Sequence, residues 1–561
     1  MTPAPASEPA PPGELVRLQQ IAGVLLRHGL GDLLRRLGGA DVLAAATQAM
    51  HRQSRQAPSR LTPEERLRSA LEELGPAFVK LGQILAGRAD LLGPSWIAEL
   101  QKLHSHVPPV PYGELRPQLV ADLGGDPHEV FAWFDETPLA AASIAQVHRA
   151  RTKDGQEVVV KVRRPGVAPS VRVDLRLLER LAGSAVRHWP DLEPYRPVEL
   201  VRQFARSLAH ELDLAQECRH AERIAAQFAG NDEVVIPRVF WAWTNERVNV
   251  QAWIDGIPGE ALDRLEAAGL DRHELARRGA SLVLKMVITD GFFHADPHPG
   301  NVIYLPGNRI ALIDFGMVGR LTEQRRAELL DLLLGLVERD AESVAEVLLD
   351  WTGGSTAEAT LVADIEGFLD SYHGVPLAEL HLGHMLLDVT TVLRRHRLML
   401  PPDLALLIKV FITLEGLGRG LDPGFHMAGE ALPLLKEAVR ARYRPQALGR
   451  QAWRSLRRTM SMLGALPHDL VRAVRTVRRA GIQVHVEVRG LQQSVDQLDR
   501  AASRLTLGLV VAALIIGSSI VMTVGGGPRL LGLPAFGLVG FVGAVAGAVW
   551  LLRAIARSGR H

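Results

Sequence analysis

Cysteine is almost missing from this 561-residue chain: Cys218 is alone. A single cysteine can form no intrachain disulfide and no cysteine-based zinc centre, which fits a reducing compartment. Aromatic residues are sparse at 5%, and neither sign of charge dominates, with 64 Lys+Arg against 62 Asp+Glu. Net charge therefore points to no polyanionic partner, and no nucleic-acid motif is present to suggest one. The first thirteen residues, rich in Pro and Ala, lack the basic start and apolar core of a secretory signal, and read as a disordered lead-in.

Apolar residues make up 47% of the chain, enough for a large core, and at about 150 residues per domain the length suggests two to four units. Two uncharged runs close the sequence, 505–527 and 530–552, each longer than the roughly 18–20 apolar residues that span a bilayer. Gly525-Gly526-Gly527-Pro528-Arg529 breaks them, so they read as a transmembrane hairpin. Arg500 and Arg504 precede it, and Arg553, Arg557 and Arg560 follow, against Arg529 alone at the tip. The positive-inside rule then puts both ends in the cytoplasm, at the inner membrane. Gly543 and Gly547 form a G-x-x-x-G step that would let the helices approach closely. Upstream, between Arg440 and Arg479, eleven arginines face one acid, Asp469, with Trp453, Leu456, Met460 and Val471 interleaved. A basic amphipathic stretch of this kind suits anionic lipid.

Along the chain, 62–104 reads as helices broken at Gly75-Pro76 and Gly93-Pro94, with a capping box at Thr62 and Glu65. A Pro-rich linker follows at 107–111. Residues 140–151 and 156–162 read as strands joined by Asp154-Gly155, 171–188 and 197–228 as helices, and 234–240 and 248–253 as further strands. Residues 261–291 and nearly everything past Arg320 read as helical, apart from a short alternating strand at 482–488. A strand-rich lobe thus precedes a helix-rich one.

The chemistry is concentrated in His294-Ala295-Asp296-Pro297-His298-Pro299-Gly300-Asn301, followed by Asp314-Phe315-Gly316. Phosphoryl transfer asks for a carboxylate beside the nucleophile and oxygen ligands for Mg²⁺ on the phosphates. In kinases an H-x-D-x-x-x-x-N loop and an Asp-Phe-Gly supply these in this order. Asp296 is thereby the catalytic carboxylate, and Asn301 and Asp314 the metal ligands. Lys161, in Val158-Val159-Val160-Lys161-Val162, sits where a kinase keeps the lysine that holds the ATP phosphates and pairs with a helix glutamate. Glu211, Asp213 and Glu217 lie on the candidate helix, more acids than one lysine requires. Where a kinase has a Gly-rich loop, this chain has Ala140-Ala141-Ala142-Ser143-Ile144-Ala145. Alanine disfavours positive φ, so the loop should hold nucleotide differently. Arg149, Arg163 and His294 read as structural.

These features resemble the UbiB family of atypical, AarF-type kinase-like proteins. Its K-x-G-Q signature stands here as Lys80-Leu81-Gly82-Gln83, and the Ala-rich loop, the E-x-D at Glu211 and Asp213, and the H-x-D-P-H-P-G-N loop match as well. The likeness is close over 60–330. Ala145, the segment Ala86-Gly87-Arg88-Ala89-Asp90 and His104-Ser105-His106 depart from the commoner pattern. The resemblance implies an α+β, two-lobed kinase-like fold with an N-terminal helical extension over the peptide site. It implies that Lys80 and Gln83 reach the active site, Lys80 pairing with Glu211 and Asp213, which leaves Glu217 for Lys161. It further implies ATP and Mg²⁺ as cofactors, suppressed protein-kinase activity, lipid-stimulated ATP hydrolysis, and support of isoprenoid-quinone synthesis, with quinone precursors or their enzymes as partners and a homodimer as one assembly. The expected layout is a lead-in (1–60), the extension (61–111), the first lobe (112–257), the helical lobe (258–435), a basic membrane-proximal region (436–504) and the hairpin (505–552). A lipid or small-molecule kinase and a non-catalytic nucleotide-binding scaffold are the alternatives.

Overall fold

The computed structural model describes residues 13–31, 61–103, 108–338, 340–352, 358–372, 381–396, 398–442 and the pairs 529–530 and 533–534. The expected basic region past residue 442, the strand at 482–488 and almost all of the hairpin lie outside the described residues. Among the described residues no helix is long and apolar enough to cross a membrane.

Proline starts and glycine stops divide the N-terminal segment. Helices α1 (Glu14–Arg27), α2 (Pro63–Leu74), α3 (Pro76–Ala86) and α4 (Pro94–Leu100) follow in order. The capping box closes α2 as expected: the Glu65 amide donates to Thr62 Oγ1 at 3.3 Å and the Thr62 amide to Glu65 Oε2 at 2.8 Å. Their apolar faces bury Leu71, Phe78 and Leu100 against Val171 and Leu177 of α5 (Val167–His188), so the extension packs on the first lobe.

That lobe is a sheet in the order β1 (Trp133–Phe134), β3 (Ala145–Arg151), β4 (Glu157–Arg163), β6 (Val248–Ala252), with β2 (Ala140–Ala141) also on β3, all antiparallel. Residues 140–151 are therefore two strands rather than one. A turn at Ala142–Ala145, closed by the Ala142 amide on the Ala145 carbonyl at 2.8 Å, folds β2 back onto β3. The expected helix at 197–228 is also two: α6 (Pro197–Glu211) ends and Asp213 caps α7 (Leu214–Gln227). A capping carboxylate favours a new start over an unbroken helix.

In the second lobe, a sheet β5 (Val234–Val235), β10 (Arg309–Leu312), β9 (Val302–Leu305), β7 (Ile257–Pro258) stands beside a ribbon of β8 (Phe292–His294) and β11 (Val318–Arg320). β5 and β7 come from the stretch expected to serve the first lobe and pair here instead. Helices α8 (Arg272–Leu284) and α9 (Pro402–Leu421) carry much of the core around Leu284, Phe293, Phe411 and Leu414. Separately, β12 (Arg529–Leu530) pairs with β13 (Leu533–Pro534), so Leu530, Leu533 and Pro534, expected in the second apolar run of the hairpin, are strand residues.

Candidate active site

Strand β4 alternates its side chains across the sheet, burying Val158, Val160 and Val162 completely and sending Lys161 the other way, into the cleft. Its Nζ donates to Glu217 on α7 at 3.0 and 2.9 Å and to Asp314 at 3.1 Å. Two carboxylates hold the ammonium above its usual range despite burial. Burial pushes the Glu217 carboxyl up to about 7, Asp314 adding to the shift while Lys161 opposes it.

Asp314 sits at φ 59°, a left-handed backbone that a non-glycine residue adopts at a cost. The turn aims its carboxylate into the cleft: Oδ2 meets Lys161, and Oδ1 accepts the Gly316 amide at 3.1 Å. Desolvation pushes its pKa up, but Lys161 and that amide together push it down by more, so the carboxyl stays well below the usual carboxylate range. Asn301 is buried, its Nδ2 donating to the Asp296 carbonyl at 3.0 Å, which binds the two ends of the Asp296–Asn301 loop together. An amide oxygen and a carboxylate are hard donors, the kind that Mg²⁺ accepts beside phosphate oxygens. Among the described residues no cluster of three or more His, Cys, Asp or Glu forms a metal site by itself; a metal held by two protein oxygens and phosphates needs none. The donor set thus fits Mg²⁺.

Asp296 accepts a 2.7 Å hydrogen bond from Lys409 Nζ on α9, with His298 Nε2 at 3.9 Å. Burial pushes the Asp296 carboxyl up, but Lys409, His298 and Lys80 together carry it below its ordinary value. Lys409 was not anticipated; the available signal was one cation inside the apolar run Leu404-Ala405-Leu406-Leu407-Ile408-Lys409-Val410-Phe411-Ile412. His294 is fully buried, its ring accepting the Asp296 amide at 3.1 Å, a structural role as expected. Arg149 lies over the Trp253 ring and Arg163 donates to the Leu212 carbonyl at 2.7 Å, also structural.

From the extension, α3 brings Lys80 to Glu211, 2.8 Å away. Burial alone would lower the Lys80 ammonium; Glu211, then Asp296 and Asp314, hold it above its usual range. Asp213 does not join them. It accepts the Ala215 and Gln216 amides at 3.0 and 3.3 Å and an Arg219 hydrogen bond at 3.0 Å, so it is a helix cap rather than a partner of Lys80. The three acids thus divide, Glu211 to Lys80, Asp213 to the backbone and Glu217 to Lys161. Gln83 donates to the Leu103 carbonyl at 3.2 Å and lines a cavity of about 360 Å³ with Phe204, His210, Gly316 and Lys409. Gly82 is required by packing: a Cβ there would come within 2.2 Å of Leu103 and 2.9 Å of Leu71.

In the Ala-rich loop, no residue takes positive φ. Ala140 and Ala141 pair with β3, Ser143 is buried, and Ile144 packs in the core with Phe78 and Val167, so the loop can offer a ligand mainly backbone. Arg164 ties it down, donating to the Ala142 carbonyl at 3.1 Å and the Pro108 carbonyl at 2.7 Å.

Residues 102–348 match the ABC1 atypical kinase-like domain, 365–426 the UbiB helical domain and 489–557 the ABC1/UbiB kinase-like C-terminal domain. A protein named probable protein kinase UbiB in Vibrio parahaemolyticus is 36% identical over 523 residues, covering 91% of this chain and 94% of its own. The chain belongs to the UbiB family. A second UbiB, of Marinobacter nauticus, is 34% identical over 469 residues, 82% of this chain and 86% of that one. Among solved structures, Rv3197 of Mycobacterium tuberculosis with erythromycin overlaps 69% of this chain and 99% of its own at 24% identity and TM-score 0.42, too loosely to carry structural weight. Within the UbiB frame Lys409 belongs to the helical domain, outside the kinase-like match, yet touches Asp296 of the His294–Asn301 loop.

Proposed function

We propose that this UbiB-family protein is a membrane-anchored, Mg²⁺-dependent ATP-binding ATPase or unorthodox kinase that supports isoprenoid-quinone synthesis of the ubiquinone type. One observation carries the reading: Lys161, Glu217 and Asp314 meet within 3.1 Å, beside Asp296 and Asn301 on one loop. A divalent ion at this site would supply charge neutralisation during phosphoryl transfer. Asp314 and Asn301 would hold the ion, Lys161 would bind phosphate oxygens, braced by Glu217, and Asp296 would orient the attacking water or hydroxyl. The backbone of Ala140, Ala141, Ala142, Ser143 and Ile144 would line the nucleotide. Lys80, paired to Glu211, and Gln83 would limit what reaches the terminal phosphoryl group, which disfavours a peptide acceptor. The uncharged runs at 505–527 and 530–552 and the arginines before them support an anchor and contact with anionic lipid, the site facing the cytoplasm. A quinone role rests on the family alone.

The mostly apolar cavity lined by Lys409, the residue bonded to Asp296, favours a second reading, a lipid or small-molecule kinase. ATP hydrolysis by the full chain, with and without anionic liposomes, separates these. Lipid-stimulated phosphate release, lost in Asp314→Asn and altered in Lys80→Ala, supports the ATPase. ATP use that depends on an added lipid alcohol and yields its phosphate supports the kinase. Tight MgATP binding without turnover on either would leave a nucleotide-binding scaffold.

A further inference from the structure

Three parts of the chain converge on one ammonium. Lys409 stands on α9, where its neighbours Ile408 and Val410 are buried in the helical core. Its stem reaches Gly87 at the end of α3, where an added Cβ would lie 3.9 Å from Lys409 Cδ. Its Nζ reaches Asp296 on the catalytic loop, and its side chain shares a cavity wall with Gln83 and with Gly316 of the Asp-Phe-Gly turn. A lysine in so apolar a helix needs a partner, and Asp296 supplies one.

The charges around it are unevenly matched. Lys161 already faces two carboxylates, Glu217 and Asp314, and Lys80 faces Glu211. Lys409 is the cation bonded to Asp296. A terminal phosphoryl group brought beside Asp296 would meet a carboxylate of like charge, and phosphoryl transfer is served by fixed cations on the equatorial oxygens. An ammonium on a four-carbon stem, 30% exposed, can turn from the carboxylate to a phosphate without backbone movement.

We propose that Lys409 is a phosphate-binding residue of this site: it neutralises Asp296 in the free protein and transfers its ammonium to the terminal phosphoryl group of bound nucleotide. The site of the kinase-like domain is then completed by a residue of the helical domain. This rests on the nucleotide-binding reading above.

The test is equilibrium binding of MgATP and MgADP to the full-length protein in detergent, in wild type, Lys409→Met, Lys409→Arg and Asp296→Asn, each verified as folded by its thermal transition. Lys409→Met should lower the preference for MgATP over MgADP by about tenfold, the scale of one charged hydrogen bond, and Lys409→Arg should recover most of it. Asp296→Asn frees the ammonium and should raise the preference. If Lys409→Met unfolds, the double variant Asp296→Asn/Lys409→Met, which leaves no unpaired carboxylate, should show the same loss relative to Asp296→Asn. An unchanged preference in Lys409→Met, or a shift of the same sign in Lys409→Met and Asp296→Asn, would overturn the assignment and leave Lys409 a structural partner. Wild type that binds neither nucleotide would instead overturn the nucleotide site itself.

Discussion

Lys161 and Asp314 depend on each other for their charge states. Lys161 is largely shielded from water while the Asp314 side chain keeps about 48% of its exposure, and the contact between them favours the charged form of each. The consequence for stability has a definite sign. A carboxyl depressed in the folded state contributes stability that is complete above its unfolded value, about 3.9, and is lost as pH falls through the folded value. Glu217 is shifted the other way, to about 7, so its contribution runs opposite between that pH and its unfolded value near 4.3. Below about pH 4 Glu217 is protonated in both states and the Asp314 effect stands clear. Urea midpoints should therefore fall more steeply from pH 4 to 2.5 in wild type than in Asp314→Asn. Parallel slopes would mean that the Lys161–Asp314 contact contributes nothing to folding.

At the scale of elements, the break between α6 and α7 decides where three acids point. Glu211 closes one helix and looks at α3; Asp213 turns to cap the next; Glu217 enters the first turn of α7 and faces β4. Were 197–228 one helix, Asp213 and Glu217 would share a face and compete for the same lysine. The capping role predicts a specific ranking. Asp213→Ala should cost about 1 kcal/mol in urea unfolding, and Asp213→Asn much less, because asparagine caps nearly as well. If Asp213 acted as an anion for Lys80, the two replacements would be equally damaging. Glycine at 82 belongs to the same scale, since α3 can lie this close to Leu71 and Leu103 only without a side chain there.

For the whole molecule, the question is what holds the extension over the cleft. Arg88 and Asp90, just past α3, form a buried pair at 2.6 and 2.8 Å. Asp90 also accepts the Leu400 amide at 3.1 Å, Arg88 donates to the Leu400 carbonyl at 3.3 Å, and Arg394 donates to the Leu92 carbonyl at 2.8 Å. A segment of the extension is thus bound to one three hundred residues later. Removing one member of a buried pair strands the other charge, at about 3–5 kcal/mol. Asp90→Ala should lower stability by that order and speed limited proteolysis between 61 and 103. A variant with wild-type cleavage kinetics would show that the apolar contact with α5 suffices to hold the extension.

Spacing alone marked Asp296, Asn301, Asp314 and Lys161, because phosphoryl-transfer chemistry ties these residue types to a loop, a turn and a strand whose local order survives in the sequence. It also marked the capping box at Thr62 and the helix limits at Gly75-Pro76 and Gly93-Pro94, since caps and breakers act within a few residues. The turn that splits 140–151 gave no comparable signal, for alanine is compatible with strand and turn alike. Partner choice was legible only through the family resemblance, which gave Lys80–Glu211 and Lys161–Glu217 but also put Asp213 on Lys80; only the direction in which each helix leaves the Asp213 cap takes that acid away. Lys409 and the Arg88–Asp90 clasp were hidden for the same reason on a longer scale. Their partners are 113 and about 310 residues away, and only the folding of the helical domain against the catalytic loop and the extension brings those charges into contact, where burial makes pairing obligatory.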